Sequence, residues 1–554
     1  MKRFLIPFLL ALLTIFALYA RTASLSNTPK ELHRDELSIA YSGYSVLKTG
    51  YDEHGAGPYP FFFESFGDYK LPGLVYLTAF FIQIFGFTPF AARIGTALLG
   101  TLLVPISYLF VKELFNSKKL AIITSVLITF SVWHTFLSRT AYEPIASLTL
   151  FVLGLTFLLK ARKKWFYFFF AAIALGLSYL FYNVALLLSP PLFLSLILIF
   201  RSEYFKNGKL QTRVGFCILF LLVIGIYMLM STVTTGKLEA TIIDPTKYAN
   251  SYNDYYFLLL QTPVEQHRIR QIIATPLYEF STDFINGYLA AFNPVYLFVK
   301  GGSNGWHSLS NIGFGNLSWF ILPLTVYGAY SAVTGSLKSK KTVLFLVSYL
   351  LLSPIPDALT IDAPVTNRLL DFHFVITIFA AIGIFTLWTS EKKKIVLSLL
   401  IAGFSASYVL FFARYFFIHQ WNLDPLWLPG YRKVAQRVHE LESKYDYIFI
   451  DPNGTSNRNR TIDSPYIFQA FYSQVEPADF QKSVVWVDSI GYKKVASFGK
   501  YYYDFAQVPL VADSSTKTGL LVSRNKDFAR DYLVIESNEG EIGSDTWYFF
   551  DLDH

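Results

Sequence analysis

Long apolar runs alternate with short polar connectors along the chain, from the N-terminus to about residue 417. A helix needs roughly 20 mostly apolar residues to cross the hydrocarbon core of a bilayer, and these runs approach that length. The pattern therefore predicts a polytopic α-helical membrane protein. The runs cover residues 4–20, 71–87, 91–111, 119–135, 144–160, 165–181, 183–200, 213–230, 316–334, 342–355, 369–388 and 394–417.

The composition agrees with this class. Hydrophobic residues make up 53% of the chain and charged residues 16%, and the mean hydropathy is +0.39. An ordinary soluble protein has about 25% charged residues. The single cysteine, Cys217, lies in an apolar run, which excludes a disulfide framework and a thiolate metal cluster. The net charge is +8, but the aromatic residues lie mostly in apolar runs, so we expect no nucleic-acid partner.

The basic connectors give the orientation, because Lys and Arg concentrate on the cytoplasmic side. The basic start Met-Lys-Arg then belongs in the cytoplasm, and with so many runs downstream we expect 4–20 to be an uncleaved helix and not a signal peptide. Alternation places 231–315 and everything after 418 outside. The basic connectors are Lys112 with Lys118 and Lys119, 160–164, 201–213, 338–341 and 392–394.

One run does not fit this alternation. The N-terminus and the 112–119 connector are both predicted to be cytoplasmic, so only two of the three runs between them can cross. The weakest is 71–87, which contains Gln83, and we expect it to lie along or dip into the outer face. That leaves about eleven transmembrane helices. In the alternative, all three runs cross and the 112–119 connector violates the rule.

Two stretches outside the spans predict further structure. The loop 231–315 is turn-rich, with helical patterns over Val264–Ile273 and Ser281–Phe292. The last roughly 130 residues are enough for a core of their own, which predicts an extracytoplasmic α/β domain. We therefore divide the chain into a transmembrane domain, 1–418 with outer loops 21–90 and 231–315, and a C-terminal domain, 419–554. The C-terminal elements are helices at Val434–Leu441 and Ser464–Gln474 and strands at Tyr447–Ile450, Leu520–Ser523, Tyr532–Ile535 and Trp547–Phe550.

An adjacent acidic pair, Asp35 and Glu36, follows the first apolar run and is flanked by His33 and Arg34. Carboxylates are costly in hydrocarbon, so acids held at its edge are candidates for function. The alternative is a solvated helix cap, since acids favour the positive N-terminus of a helix. These residues alone favour neither interpretation over the other.

Further ionisable residues near the predicted outer ends of the spans shift that balance. Polar groups at membrane depth persist mainly where they line a cavity or pair together, and for any single residue ion pairing is the alternative. The set mixes acids with cations, which suit a lipid-linked phosphate, while a carboxylate suits general base catalysis. Its members are Asp35, Glu36, Asp68, Lys70, Arg93, His134, Arg139, Glu143, His307, Asp362, Arg368, Asp371 and His373.

The order of several short motifs resembles the GT-C membrane glycosyltransferases of the protein O-mannosyltransferase and aminoarabinose-transferase type. The motifs are the Asp-Glu pair, Lys70-Leu-Pro-Gly, the segment 91–100, and Trp133 to Glu143. Segments 292–315, 354–370 and 415–419 resemble bacterial members of that group. Leu71 departs from the Lys-Pro-Pro pattern of the family, and 231–315 contains no MIR-like repeat.

The resemblance implies a transferase in a bacterial-type plasma membrane, with its active site and C-terminal domain outside. The implied donor is a polyprenyl-phosphate sugar, such as mannose or aminoarabinose, and the acceptor is a protein, lipid or glycan. By position, Asp35 is the base that activates the acceptor and Glu36 orients the site. The implied phosphate-binding residues are Lys70, Arg93, Arg139 and Arg368, and further site candidates are His134, Tyr142, Glu143 and His307.

No cofactor is required by this pattern. A divalent cation at Asp35 and Glu36 is compatible with the sequence, although no ligand spacing demands one. Two other classes stay open, a transporter or flippase for a lipid-linked substrate and an assembly protein with the outer domain as its binding module. Inverted repeats and polar groups near the bilayer midplane are typical of transporters, and neither is visible in the sequence.

Overall fold

The computed structural model describes residues 2–205, 210–231, 241–243, 276–302, 307–335, 339–388, 394–418, 427, 430–452, 464–489, 492–504, 518–527, 533–538 and 546–552. These residues form two compact units. One, which we call the helical unit, contains Met1–Arg21, Leu98–Ser138 and Glu143–Phe411. The other, the mixed unit, contains Thr22–Ala97, Arg139–Tyr142 and Phe412–His554.

Helices dominate the part of the chain before residue 418. Among the described residues, six helical segments are long and apolar enough to cross a membrane, one of them running through Lys340–Ala358, which indicates an integral membrane protein. The number of about eleven crossings stays a prediction. The helices in chain order are α1 Lys2–Thr22, α2 Arg34–Thr49, α3 Pro72–Phe85, α4 Pro89–Phe115, α5 Lys118–Thr129, α6 Val132–Leu137, α7 Glu143–Ala161, α8 Tyr167–Tyr179, α9 Asn183–Ile199, α10 Arg201–Tyr204, α11 Leu210–Ser231, α12 Pro276–Ala291, α13 Leu322–Val333, α14 Lys340–Leu352, α15 Ile355–Ala358, α16 Leu370–Trp388 and α17 Lys394–Phe417.

Helix α3 covers the run that did not fit the alternation. It has 14 residues, which at 1.5 Å per residue span roughly 21 Å, less than the roughly 30 Å of a hydrocarbon core. That length agrees with a helix that does not cross, which stays a prediction. In the loop 231–315, α12 matches the predicted helix at Ser281–Phe292. The predicted helix at Val264–Ile273 lies outside the described residues.

In the helical unit, α13 and α16 touch at the level of their backbones. A Cβ atom on Gly328 would collide with the carbonyl oxygen of Phe379, and one on Gly383 would collide with that of Leu324. Small residues allow helices to approach this closely within a membrane. The two glycines therefore set the distance between these helices.

Replacing Gly383 by Ala is expected to destabilise the protein by about 1–3 kcal/mol, because the added methyl overpacks a backbone contact. The measurement is the thermal midpoint of the purified protein in detergent. Gly225→Ala on α11 is the matched control, since no atom lies within 4 Å of a Cβ placed there. Equal midpoints for the two variants would contradict the close contact.

The mixed unit is built around a seven-stranded mixed sheet in the order β4-β5-β6-β3-β7-β9-β8. Strand β3 pairs parallel with β6 and β7, and the other pairs are antiparallel. Its strands are β3 Tyr447–Ile450, β4 Val485–Ser489, β5 Tyr492–Phe498, β6 Tyr501–Tyr502, β7 Gly519–Ser523, β8 Leu533–Asn538 and β9 Trp547–Asp551. A separate hairpin pairs β1 Phe63–Ser65 with β2 Asp68–Lys70. The C-terminal helices of the mixed unit are α18 Tyr431–Leu441, α19 Pro465–Tyr472 and α20 Pro477–Ser483.

The predicted C-terminal elements are confirmed at both helices and at four strands, β3, β7, β8 and β9. Strands β4, β5 and β6 and helix α20 were not predicted from the sequence. Helix α2 shares a core with this sheet, through residues such as Leu37, Ala40 and Tyr41. Thr22–Ala97 thus belongs to the same compact unit as the C-terminal region, whereas the predicted domain boundary lies between 418 and 419.

Candidate active site

The N-terminus of α2 carries the acidic pair. His33 is the N-cap residue, and its Nδ1 accepts a hydrogen bond of 3.3 Å from the backbone N–H of Asp35. Glu36 Oε2 accepts one of 3.0 Å from the backbone N–H of His33. This reciprocal pattern is a capping box. It leaves the two carboxyl groups in different surroundings, since the side chain of Asp35 is 22% exposed and that of Glu36 is 0% exposed.

Asp35 faces two basic side chains. Lys70 Nζ, at the end of β2, lies 3.3 Å from Asp35 Oδ1, and His33 Nδ1 lies 3.4 Å from Oδ2. Burial alone would raise the pKa of the Asp35 carboxyl, but Lys70, His33 and Arg34 outweigh burial and hold that pKa well below its usual value. Asp35 is therefore ionised at neutral pH, the form that can accept a proton.

Glu36 forms a buried ion pair with Arg93. Arg93 Nε donates to Glu36 Oε1 at 2.9 Å and Nη2 donates to Oε2 at 3.0 Å. The backbone N–H of Ala141 also donates to Oε1, at 2.7 Å. Arg93 further donates to three backbone carbonyl oxygens, those of Leu25, Pro29 and Glu31.

These contacts bear on two predicted roles. Arg93 is 0% exposed and its guanidinium is satisfied by Glu36 and backbone carbonyls, so the geometry gives no support to the phosphate-binding role predicted for Arg93. Glu36 is likewise enclosed, and its oxygens hold Arg93, the helix cap and the backbone at Ala141. Both residues connect segments of the mixed unit that are distant in sequence.

Arg139 is also fully buried. Its Nη2 donates to the carbonyl oxygens of Ala23, at 2.7 Å, and Thr28, at 2.9 Å. Its guanidinium lies over the rings of Tyr415 and Phe416, at 5.4 and 4.8 Å from their centroids. This geometry gives no support to the phosphate-binding role predicted for Arg139, and of the predicted cations in the mixed unit only Lys70, 15% exposed, stands beside Asp35.

Aromatic residues pack against His33, the residue that caps α2. The His33 ring lies 6.0 Å from that of Tyr142 and 5.6 Å from that of Trp427, both in edge contacts. Tyr142 thus lies beside His33, and its role in the site stays a prediction. His33 was given no role from the sequence, although its position three residues before Glu36 is the spacing of a capping box.

In the helical unit, Arg368 lies in a second polar cluster. Its Nη1 donates to Thr360 Oγ1 at 2.7 Å and to Asp362 Oδ1 at 2.5 Å, and the side chain is 24% exposed. Arg368 and Glu143 both act electrostatically on the hydroxyl of Tyr182. Two predicted site residues, Arg368 and Glu143, therefore lie in one region of this unit.

The two predicted histidines of the helical unit differ in their surroundings. His134 is fully buried, and its Nδ1 lies 2.7 Å from Nη2 of Arg21, which also donates to the carbonyl oxygens of Ala17 and Ile128. This packing gives His134 a structural partner inside the unit. His307 is half-buried.

The divalent cation that the sequence leaves possible at the acidic pair has no fitting ligand set there. Both oxygens of Glu36 are held by Arg93 and backbone N–H groups, and Asp35 pairs with Lys70. Among the residues that the structure describes, no group of three or more His, Cys, Asp or Glu side chains is placed to hold a metal ion.

Comparison with protein families gives one match. Residues 70–228 match the family described as dolichyl-phosphate-mannose-protein mannosyltransferase. The matched segment begins at Lys70 and contains Arg93, Arg139 and Glu143, while Asp35 precedes it. A comparison with curated protein sequences found no significant match.

Two solved proteins share the fold over most of the chain. ArnT from Cupriavidus metallidurans, bound to undecaprenyl phosphate, matches with a TM-score of 0.52 and 10% identity, over 98% of this chain and 97% of ArnT. The archaeal oligosaccharyltransferase AglB from Archaeoglobus fulgidus, in complex with an inhibitory peptide and a dolichol-phosphate, matches with 0.51 and 13%, over 94% and 69%. The likeness is one of fold, and it is the GT-C fold that the sequence resemblance predicted.

Proposed function

We propose that this protein is a glycosyltransferase that moves a sugar from a polyprenyl-phosphate donor to an acceptor on the outer face of the membrane. The observation that carries the proposal is the pair of Asp35 and Lys70, an ionised carboxylate 3.3 Å from an ammonium, both partly exposed. The carboxylate suits an acceptor hydroxyl and the ammonium suits a phosphate. The GT-C fold and the mannosyltransferase family match support the same reaction class.

The proposed reaction is a single inverting displacement at the anomeric carbon of the sugar. Asp35 accepts the proton of the acceptor hydroxyl while the oxygen of that hydroxyl bonds to the anomeric carbon. The bond from that carbon to the phosphate oxygen breaks, and the lipid phosphate leaves with the bonding electrons. Lys70 stabilises the negative charge that builds on the phosphate. Because the phosphate is a good leaving group, the step needs no strong general acid.

Lys70 couples donor binding to the strength of the base. In the free protein its ammonium lowers the pKa of the Asp35 carboxyl. When a donor phosphate shares that ammonium, the attraction on the carboxylate weakens and the pKa of Asp35 rises toward its ordinary value. The base therefore becomes stronger at the moment when the donor is in place.

The donor and acceptor classes are proposed from the similar proteins. ArnT is bound to undecaprenyl phosphate and AglB to a dolichol-phosphate, which supports a polyprenyl lipid carrier. The family match favours mannose as the first sugar to test, with aminoarabinose as the alternative. The peptide bound to AglB favours testing a protein acceptor first, before lipid and glycan acceptors.

The test uses the purified protein in proteoliposomes with undecaprenyl-phosphate carrying radiolabelled mannose or aminoarabinose. Membranes from cells that lack the gene supply the acceptor. We expect label to leave the lipid and to appear on an acceptor that mass spectrometry identifies. Movement of the intact donor between leaflets without transfer would support the flippase alternative. The absence of both transfer and movement would contradict the proposal.

Replacing Lys70 by Gln is expected to raise the KM for the donor by about 10–100-fold, because a hydrogen bond to a charged group contributes about 1.5–3 kcal/mol. Initial rates at varied donor concentration give this value. Lys48→Gln is the matched control, since Lys48 lies at the other end of α2, is 47% exposed and pairs with Glu476. A donor KM equal to that of the wild type would rule out phosphate binding by Lys70.

A further inference from the structure

The turn after α2 in the mixed unit holds a second group of ionisable side chains. His54 Nε2 lies 3.6 Å from Glu53 Oε1, and its Nδ1 lies 3.9 Å from Glu64 Oε2. The imidazole stacks on the indole of Trp486, with ring centroids 4.3 Å apart and planes 19° apart. The transfer chemistry proposed above uses none of these residues.

This turn is anchored on the C-terminal helices. Asp52 Oδ1 accepts hydrogen bonds from the backbone N–H groups of His54 and Ala56, at 2.9 and 2.7 Å, which fixes the turn itself. Gln481 of α20 donates to the carbonyl oxygen of Asp52 at 2.7 Å. Tyr466 of α19 donates to Glu53 Oε1 at 3.3 Å. These hydrogen bonds fix the position of the turn that carries His54.

Glu64, the second carboxylate beside His54, lies in the hairpin that carries Lys70. In the register of this hairpin, Phe63 of β1 is opposite Lys70 of β2, and Glu64 is the next residue along β1. The strand that His54 holds through Glu64 is therefore the strand that pairs with Lys70. A displacement of β1 moves Lys70 with it.

The charge on His54 decides how firmly it holds β1. Burial lowers the pKa of the His54 imidazole, but Glu53, Glu64 and Asp52 outweigh burial and raise it. Tyr466 and Trp486, which also face this group, are uncharged at neutral pH. Glu53 Oε2 and His54 Nε2 have no hydrogen-bond partner among the described residues, so attraction between the imidazolium and the carboxylates offsets their burial.

We propose that His54 is a positioning residue for Lys70. Its imidazolium holds Glu64, and through the β1–β2 hairpin it keeps Lys70 beside Asp35 and in place for a lipid phosphate. Without that charge Glu53 and Glu64 repel each other, and β1 moves away from the turn. The inference rests on the proposed function, because that function makes a phosphate the ligand of Lys70.

The test measures binding of undecaprenyl phosphate to the full-length protein in nanodiscs as a function of pH. His54→Gln is expected to weaken binding about 5–20-fold at pH 7. The pKa of His54 is raised, so the imidazolium is present at low pH and is lost as pH rises through that pKa. Wild-type affinity should fall over this range, and the variant should lack this loss. His439→Gln is the control, because His439 is 51% exposed on α18 and pairs with Glu442.

A second measurement separates positioning from general folding and does not depend on activity. Hydrogen–deuterium exchange at residues 63–70 should increase in His54→Gln, while exchange in α18 and α19 stays at the wild-type level. Unchanged affinity, unchanged pH dependence or unchanged exchange in that hairpin would overturn the inference. If the wild type binds the lipid and responds to His54→Gln but transfers no sugar, the proposed function fails and the positioning role stands.

Discussion

Asp35→Asn is expected to lower the kcat of sugar transfer by about 10²–10⁴-fold, the usual contribution of a general base. Asparagine has nearly the same size but cannot accept the proton of the acceptor hydroxyl. The helix should persist, because the capping box that begins α2 is formed by His33 and Glu36. Lipid binding should be retained, since Lys70 keeps its charge. The measurement is the rate of transfer at saturating donor.

Asp479→Asn is the matched control for this substitution. Asp479 is exposed on α20 of the same unit, so its loss should change neither turnover nor the thermal midpoint. If Asp35→Asn turned over within threefold of the wild type, Asp35 would not be the base. If the variant also failed to bind the lipid, its loss of activity would reflect a damaged site and not a missing base.

Glu36→Ala is expected to reduce stability by roughly 3–5 kcal/mol, because it leaves the buried guanidinium of Arg93 without its charge partner. It also removes the acceptor for the backbone N–H groups of His33 and Ala141. We expect low yield and a strongly reduced thermal midpoint in detergent. The loss follows from structure, so the folded fraction should keep much of its turnover per molecule.

Glu440→Ala supplies the comparison with a surface ion pair. Glu440 is 62% exposed and pairs with Arg437 on α18, and such pairs contribute less than about 1 kcal/mol. A Glu36→Ala protein as stable as Glu440→Ala but inactive would restore the role first expected for Glu36, that of an orienting partner in catalysis.

The sequence pointed to Asp35 and Lys70 as candidate site residues because both stand in motifs beside predicted spans. The two residues by themselves do not distinguish Asp35 from its neighbour Glu36, and only the family resemblance gave the two carboxylates different roles. The difference between them arises from Arg93, which reaches Glu36 from α4. In a sequence, an arginine that binds backbone carbonyls and a carboxylate is indistinguishable from one that binds a phosphate. For this reason Arg93 and Arg139 were both predicted to bind the donor phosphate.

In the fold, too, features set by nearby residues were predicted and features set by contacts between distant residues were not. Apolar runs at β3 and β7 predicted buried strands, since parallel strands covered on both faces are continuously hydrophobic. Strands β4 and β5 were missed because their residues alternate weakly and include Lys493 and Lys494. The packing of α2 into the core of the C-terminal sheet depends on contacts between residues far apart in the chain, which hydropathy does not report.

Release of undecaprenyl phosphate from undecaprenyl-phosphate mannose tests the central claim most directly. Wild type and Asp35→Asn are compared side by side, with bound lipid measured in the same samples. We expect the wild type to release one lipid phosphate for each sugar that reaches an acceptor. The variant should bind the intact donor without releasing the lipid phosphate. Equal release by both proteins, or a wild type that binds this donor and its aminoarabinose counterpart but transfers neither sugar, would contradict it.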